Sequence, residues 1–161
     1  EGVFLNWLNS INASSKIWEK RNRSIDIIVE LENNNLLLVH NTFAKKEDMT
    51  DKYYCTCPKA NLYIENALPD YSIFNTEKLC VGTDSLASNN TLSILEELLI
   101  IQKNSGFDLN TLFKIASKNG AKALGFSELG TFEKAKTPGV ILVQKLNDTK
   151  LTKNSVVKKL Q

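Results

Sequence analysis

Val81-Gly82-Thr83-Asp84-Ser85-Leu86-Ala87-Ser88-Asn89-Asn90 is the stretch on which the fold turns. The residues leading into it, Lys78-Leu79-Cys80-Val81, are short, continuous and apolar, as in a buried parallel strand. Gly82-Thr83-Asp84 ends that strand, and Ser85, Ser88, Asn89 and Asn90 follow before a helical pattern begins. Polar residues just past the C-terminal ends of buried parallel strands are how α/β enzymes build their sites. An aspartate at position 84 can ligate a metal, act as a base, or cap a turn, and the spacing leaves all three open.

The pattern repeats upstream. Leu36-Leu37-Leu38-Val39 is a buried strand that abuts His40-Asn41-Thr42. Tyr53-Tyr54-Cys55-Thr56-Cys57 is a second strand, stopped by Pro58, with Asn61 beyond it. Lys45–Asp51 reads as a short surface helix and Lys59–Asp70 as a loop. Downstream, Asn90 caps a helix with its body at Thr91–Asn104. Leu92, Leu95, Leu98, Leu99 and Gln102 form its inner side. Glu96 and Glu97 read as solvated, because adjacent helical residues diverge. Asp108 caps a helix over Leu109–Lys118, and a further helical turn spans Ala121–Leu124. Gly139–Val143 is a strand, and Val156-Val157 adds another. At the start of the chain, apolar spacing predicts a helix over Val3–Ile11. Ser24 caps a second one over Ile25–Leu31, ended by Asn33–Asn35. Strands thus alternate with helices, which favours a parallel α/β architecture.

Bulk properties exclude several classes. With 161 residues, 42% of them apolar, the chain can bury one real core. The 20 basic and 18 acidic residues are interspersed, without the basic face of a nucleic-acid binder. Lys45-Lys46 and Lys158-Lys159 read as solvated surface. No apolar run approaches the ~18–20 residues that span a bilayer, so no membrane partner is expected. No signal peptide is visible either. The three cysteines, Cys55, Cys57 and Cys80, sit in apolar runs and read as reduced thiols of a cytoplasmic protein. None of the seven glycines belongs to a dinucleotide or P-loop signature, and there is no G-x-S-x-G elbow. Glu65 and Asn66 read as solvated loop residues. His40 is the only histidine. One histidine and one aspartate fall short of the three or four protein ligands that zinc takes.

Three blocks carry a family resemblance. They are Leu37–Phe43 (L-L-V-H-N-T-F), Cys57–Leu62 (C-P-K-A-N-L) and Val81–Asn90 (V-G-T-D-S-L-A-S-N-N), followed by L-S-I-L-E-E-L at Leu92–Leu98 and N-G-A-K-A-L-G at Asn119–Gly125. In this order they resemble the second half of amidohydrolase-superfamily enzymes of the cytosine deaminase, adenosylhomocysteine deaminase and chlorohydrolase group, from about Leu36 to Val143. The resemblance implies a C-terminal portion of a (β/α)8 TIM barrel, strands six to eight with their helices, plus the start of a small β-sandwich. Residues 1–137 would be the partial barrel and 138–161 the sandwich strands. His40 would be the sixth-strand histidine that contacts the attacking water or the substrate. Asp84 would be the eighth-strand aspartate, both metal ligand and proton acceptor. The substrate-binding residues stay unassigned.

The implied activity is metal-dependent hydrolysis of C–N, or C–Cl, bonds, deaminating an amino-substituted purine, pyrimidine or related heterocycle. The family's metal is one divalent ion, zinc or iron, which lowers the pKa of its bound water toward ~7. No H-x-H pair and no fifth-strand histidine is present in this chain. The expectation is therefore a fragment inactive by itself and holding no metal, consistent with a start at Glu1 rather than Met. Its partners would be a small-molecule substrate, the N-terminal half of the same protein, and a second copy in a homo-oligomer. The alternative is a non-catalytic half-barrel scaffold or interaction domain.

Overall fold

The computed structural model describes residues 3–12, 25 and 36–160, and the chain divides into two compact units, Glu1–Glu32 and Asn33–Gln161. In the first unit the predicted N-terminal helix forms as α1 (Val3–Ser10). The Ser10 hydroxyl donates to the Trp7 carbonyl at 2.7 Å in its last turn, and Ile11 lies beyond the helix. The helix expected over Ile25–Leu31 lies outside the described residues, apart from Ile25 itself.

The second unit is built on three short strands: β1 (Leu37–Val39), β2 (Tyr53–Thr56) and β3 (Leu79–Val81). They form one parallel sheet in the order β1-β2-β3. Leu38 pairs with Tyr54, and Tyr54 with Leu79. Partners in register share a face. That face is the core side: Leu38, Tyr54 and Leu79 are all buried, Leu79 completely. It is covered by α3 (Ile94–Asn104), α4 (Leu109–Ala116) and α5 (Lys118–Ala123), with Leu98, Ile101, Leu112 and Ile115 turned inward. Each such aliphatic side chain contributes about 1.5–3 kcal/mol on leaving water. The Tyr54 and Phe74 rings meet edge to face at 5.5 Å. Asn119, fully buried, donates to the carbonyls of Thr76 and Leu79, each at 2.7 Å, and so ties α5 to the entry of β3.

The alternate positions of β2 and β3 are cysteines. Cys55 and Cys80 are in register, and all three thiols are free. Burial pushes the Cys80 thiol up to about 11. A separate antiparallel pair, β4 (Ile141–Gln144) and β5 (Val156–Lys159), follows the helices. It is joined to α3 through Gln102, whose amide both donates to and accepts from the Leu151 main chain at 3.0 and 2.9 Å. No helix among the described residues is long and apolar enough to cross a membrane.

Several local expectations are corrected. The predicted loop after Pro58 is largely α2 (Pro58–Glu65). Proline stops the strand, yet it also suits the first position of a helix, where its missing N–H costs nothing. Asn66, at φ 49°, ends that helix. The helix expected from Thr91 begins at Ile94, because Ser93 rather than Asn90 caps it by accepting from the Glu96 N–H. Within this helix Glu97 lies fully in the interior, and Leu92, ahead of the helix, is exposed, the reverse of the sequence reading. The Lys45–Asp51 helix is reduced to one 3-10 turn, Lys46–Asp48.

Candidate active site at the C-terminal ends of the parallel strands

Parallel strands deliver their following residues to one edge of the sheet. Past β1 the backbone turns left-handed at His40 (φ 70°) and Asn41 (φ 54°). The ladder carries His40 to this point through its N–H, which donates to the Cys55 carbonyl at 2.8 Å. Asn41 holds the turn by donating its side-chain amide to the Leu38 carbonyl at 2.7 Å. Past β2, Cys57 leads into α2, and Asn61 lies one turn along that helix, 1% exposed. Past β3, Gly82 donates its N–H to the Thr56 carbonyl at 3.0 Å. A Cβ at Gly82 would stand 3.2 Å from the Cys55 sulfur and 3.4 Å from that of Cys57, so the position favours glycine. Asp84 follows with φ 57°.

His40, Asn61 and Asp84 meet at this edge. The Asn61 Oδ1 lies 2.7 Å from His40 Nδ1. An amide oxygen only accepts, so Nδ1 carries the proton. When the ring is neutral, its lone pair then lies at Nε2, 3.7 Å from Asp84 Oδ2. Two acceptors at that spacing leave room for a shared proton or a donating water between them. Asp84 is itself held from the other side: Ser88 Oγ donates to Oδ2 and the Ser85 N–H to Oδ1, both at 2.8 Å. These donors, the Ser88 hydroxyl foremost, keep its carboxyl below the usual carboxylate range, with a smaller contribution from His40. Asp84 is thus ionised at neutral pH. Cys57, close by, is not a competing nucleophile. Its hydrogen bond to Cys55, and then burial, push its thiol far up.

The donor set was tested against a metal. Among the described residues no group of three His, Cys, Asp or Glu side chains is placed to hold one. An imidazole nitrogen and a carboxylate are fewer than the three or four protein ligands that a zinc site takes. Glu65 and Asn66, both exposed, terminate α2 away from the pair. Two open surface hollows, one lined by residues such as Phe132 and Lys159 and the other by residues such as Tyr53 and Phe126, include neither His40 nor Asp84. Sequence reasoning gave Asn61 no role and read Glu97 as solvated. The available signal was Pro58 as a helix start, which places Asn61 one turn in.

The profile of the amidohydrolase family matches residues 18–160. This chain belongs to the amidohydrolase family. Among its relatives, the 5-methylthioadenosine/S-adenosylhomocysteine deaminase of Halalkalibacterium halodurans is 41% identical over 73 residues, covering 40% of this chain and 17% of that enzyme. The crystal structure of Helicobacter pylori aminofutalosine deaminase superposes with a TM-score of 0.67 at 28% identity, over 86% of this chain and 38% of that one. An adenosine deaminase from Xanthomonas campestris with bound zinc superposes at 0.61 over 73% of this chain and 30% of that one. Its 24% identity makes that a likeness of fold alone. The amidohydrolase chain spans well under two thirds of each of these relatives.

The extent of the match corrects the sequence reading. Family likeness is not confined to the expected stretch from about Leu36 to Val143, matched to the second half of such enzymes, because it takes in residues 18–160. The fold is an α/β amidohydrolase-like unit with a three-stranded parallel sheet, and the assignment to strands six to eight of a TIM barrel plus the start of a sandwich is withdrawn. The expected fragment, inactive by itself, goes with it. Nor do the comparisons support the expected partner, an N-terminal half of the same protein. The physical reason is that only strand-end blocks are chemically restricted enough to recognise by eye. The flanking segments carry apolar periodicity, which many sequences satisfy.

Proposed function

We propose that this amidohydrolase hydrolyses the exocyclic C–N bond of an amino-substituted, purine-like heterocycle, with His40 and Asp84 as its working pair. Water adds to the ring carbon, the carbon–nitrogen bond breaks, and ammonia leaves. Asp84 accepts the proton of the attacking water and returns it to the departing amino group. His40, its tautomer set by Asn61, accepts a hydrogen bond at Nε2 and orients the water. Asp84 is also the carboxylate we assign to the zinc or iron on which such deaminases depend.

The observation that supports this reading most is the 3.7 Å approach of His40 Nε2 to Asp84 Oδ2 from two different strand ends. The substrate class is drawn from relatives such as the 5-methylthioadenosine/S-adenosylhomocysteine deaminase. The same reading divides the chain at residues 137 and 138, with β4 and β5 forming the second part, and places it in the cytoplasm, where three free thiols persist.

The test is ammonia release from adenosine and 5'-methylthioadenosine by the protein supplied with zinc or iron, compared with Asp84→Asn and His40→Asn. Each substitution should lower turnover by about 100-fold or more. Retention of wild-type turnover in Asp84→Asn would rule out its role as proton acceptor. A wild-type protein that releases no ammonia would favour the scaffold.

A further inference from the structure

The residues that support His40 and Asp84 share a hydrogen-bonded partner elsewhere in the molecule. Glu97, on α3, is completely buried. Its Oε2 accepts the Lys59 N–H at 2.8 Å, and its Oε1 accepts the Asn89 side-chain amide at 2.7 Å. The same Asn89 nitrogen donates to the Thr83 carbonyl at 2.8 Å. Thr83 is the residue before Asp84. Lys59 opens the turn of α2 that carries Asn61, the partner of His40. One carboxylate therefore joins the two supports of the pair, the loop after β3 and the first turn after β2.

A buried carboxylate is costly unless its hydrogen bonds compensate. Burial pushes the Glu97 pKa up, against the donors from Lys59 and Asn89. Leucine would fill the same volume without that cost. Asp84 also sits at φ 57°, a left-handed conformation that strains a non-glycine residue and persists where surrounding contacts hold it. Asn89 supplies that hold through the carbonyl next to the strained residue.

We infer that Glu97 is a positioning residue, which sets the separation of His40 and Asp84 by tying Asn89 and the first turn of α2 to one buried carboxylate. The inference concerns the working pair and rests on the proposed reading for its catalytic meaning, but its geometric content is testable without turnover. His40 is the only histidine, so a protein labelled with 15N-histidine gives one pair of ring nitrogen signals. These are compared in wild type, Asp84→Asn, Glu97→Gln and Asn89→Ala, with kcat and KM measured on each. Glu97→Gln keeps the volume but sets an NH2 group against a donor. Glu97→Asp serves as the conservative rescue.

The expected result is that Glu97→Gln and Asn89→Ala displace the His40 ring signals in the direction of Asp84→Asn. Both should lower kcat on the order of 10- to 100-fold with KM nearly unchanged, and Glu97→Asp should recover part of the loss. Folded variants with unmoved ring signals and wild-type kcat would overturn the inference. Should Glu97→Gln fail to fold, Asn89→Ala decides alone by the same two readings. If the wild type shows no deamination but the ring signals still move together, the positioning role stands and the proposed function falls.

Discussion

Replacing Asn61 by alanine separates the tuning of the site from the stability of the fold. The hydrogen bond from His40 Nδ1 to Asn61 Oδ1 is 2.7 Å long, and a neutral hydrogen bond of this kind contributes about 0.5–1.5 kcal/mol net. That energy favours the Nδ1–H tautomer by about 2- to 13-fold, and the substitution removes the preference. Stability should barely respond, because three effects offset one another. The lost bond costs ~1 kcal/mol, since His40, with its side chain 36% exposed, can turn to water. Truncating a buried side chain costs a further ~1–2 kcal/mol in packing. Against these, Asn61 Nδ2 is buried without a partner, and deleting it recovers about 1–3 kcal/mol of desolvation. The expected outcome is a free energy of urea unfolding within about 1 kcal/mol of wild type. The ring nitrogen signals of the single histidine should shift toward a mixture of tautomers, and turnover should fall by the same factor. Unchanged ring signals in Asn61→Ala would refute the assignment of the Nδ1 proton, and with it the orientation of Nε2 toward Asp84.

Other outcomes follow from the same geometry. Asp84→Gly relieves the left-handed strain at φ 57° while losing the bonds from Ser85 and Ser88. Thermal unfolding should place it within about 1 kcal/mol of wild type, with deamination gone. Gly130→Ala forces a side chain onto a residue at φ +84°, with its Cβ 2.8 Å from the Lys118 Cα. A loss of about 2–4 kcal/mol in denaturant unfolding is expected. The carboxyls of Asp70, Asp84 and Asp108 are all held below the ordinary range, chiefly by hydroxyl and backbone donors. Their contribution to stability is full above the unfolded value near 3.8 and drains away as pH falls through the lower folded values. Glu97 has the opposite sign: its folded pKa is raised, so its ionisation works against folding above the unfolded value of 4.5. Urea midpoints should therefore show the stability of Glu97→Gln relative to wild type improving from about pH 4 to about pH 7.

The strand ends were legible from residue order. Leu37–Val39, Tyr53–Thr56 and Leu79–Val81 are short apolar runs followed directly by polar residues, and a parallel sheet gathers those residues whatever the details of its helices. His40 and Asp84 could be named for that reason. Neither the pairing of their side chains nor its supports could be read the same way. Asn61 became visible only once Pro58 had started a helix rather than a loop. Glu97 became visible only once the helix capped by Ser93 had packed with that side chain in the core. Local sequence fixes such boundaries only weakly. Packing against β3 and α2 settles them, because it decides which carboxylate finds donors in the core and which stays in water.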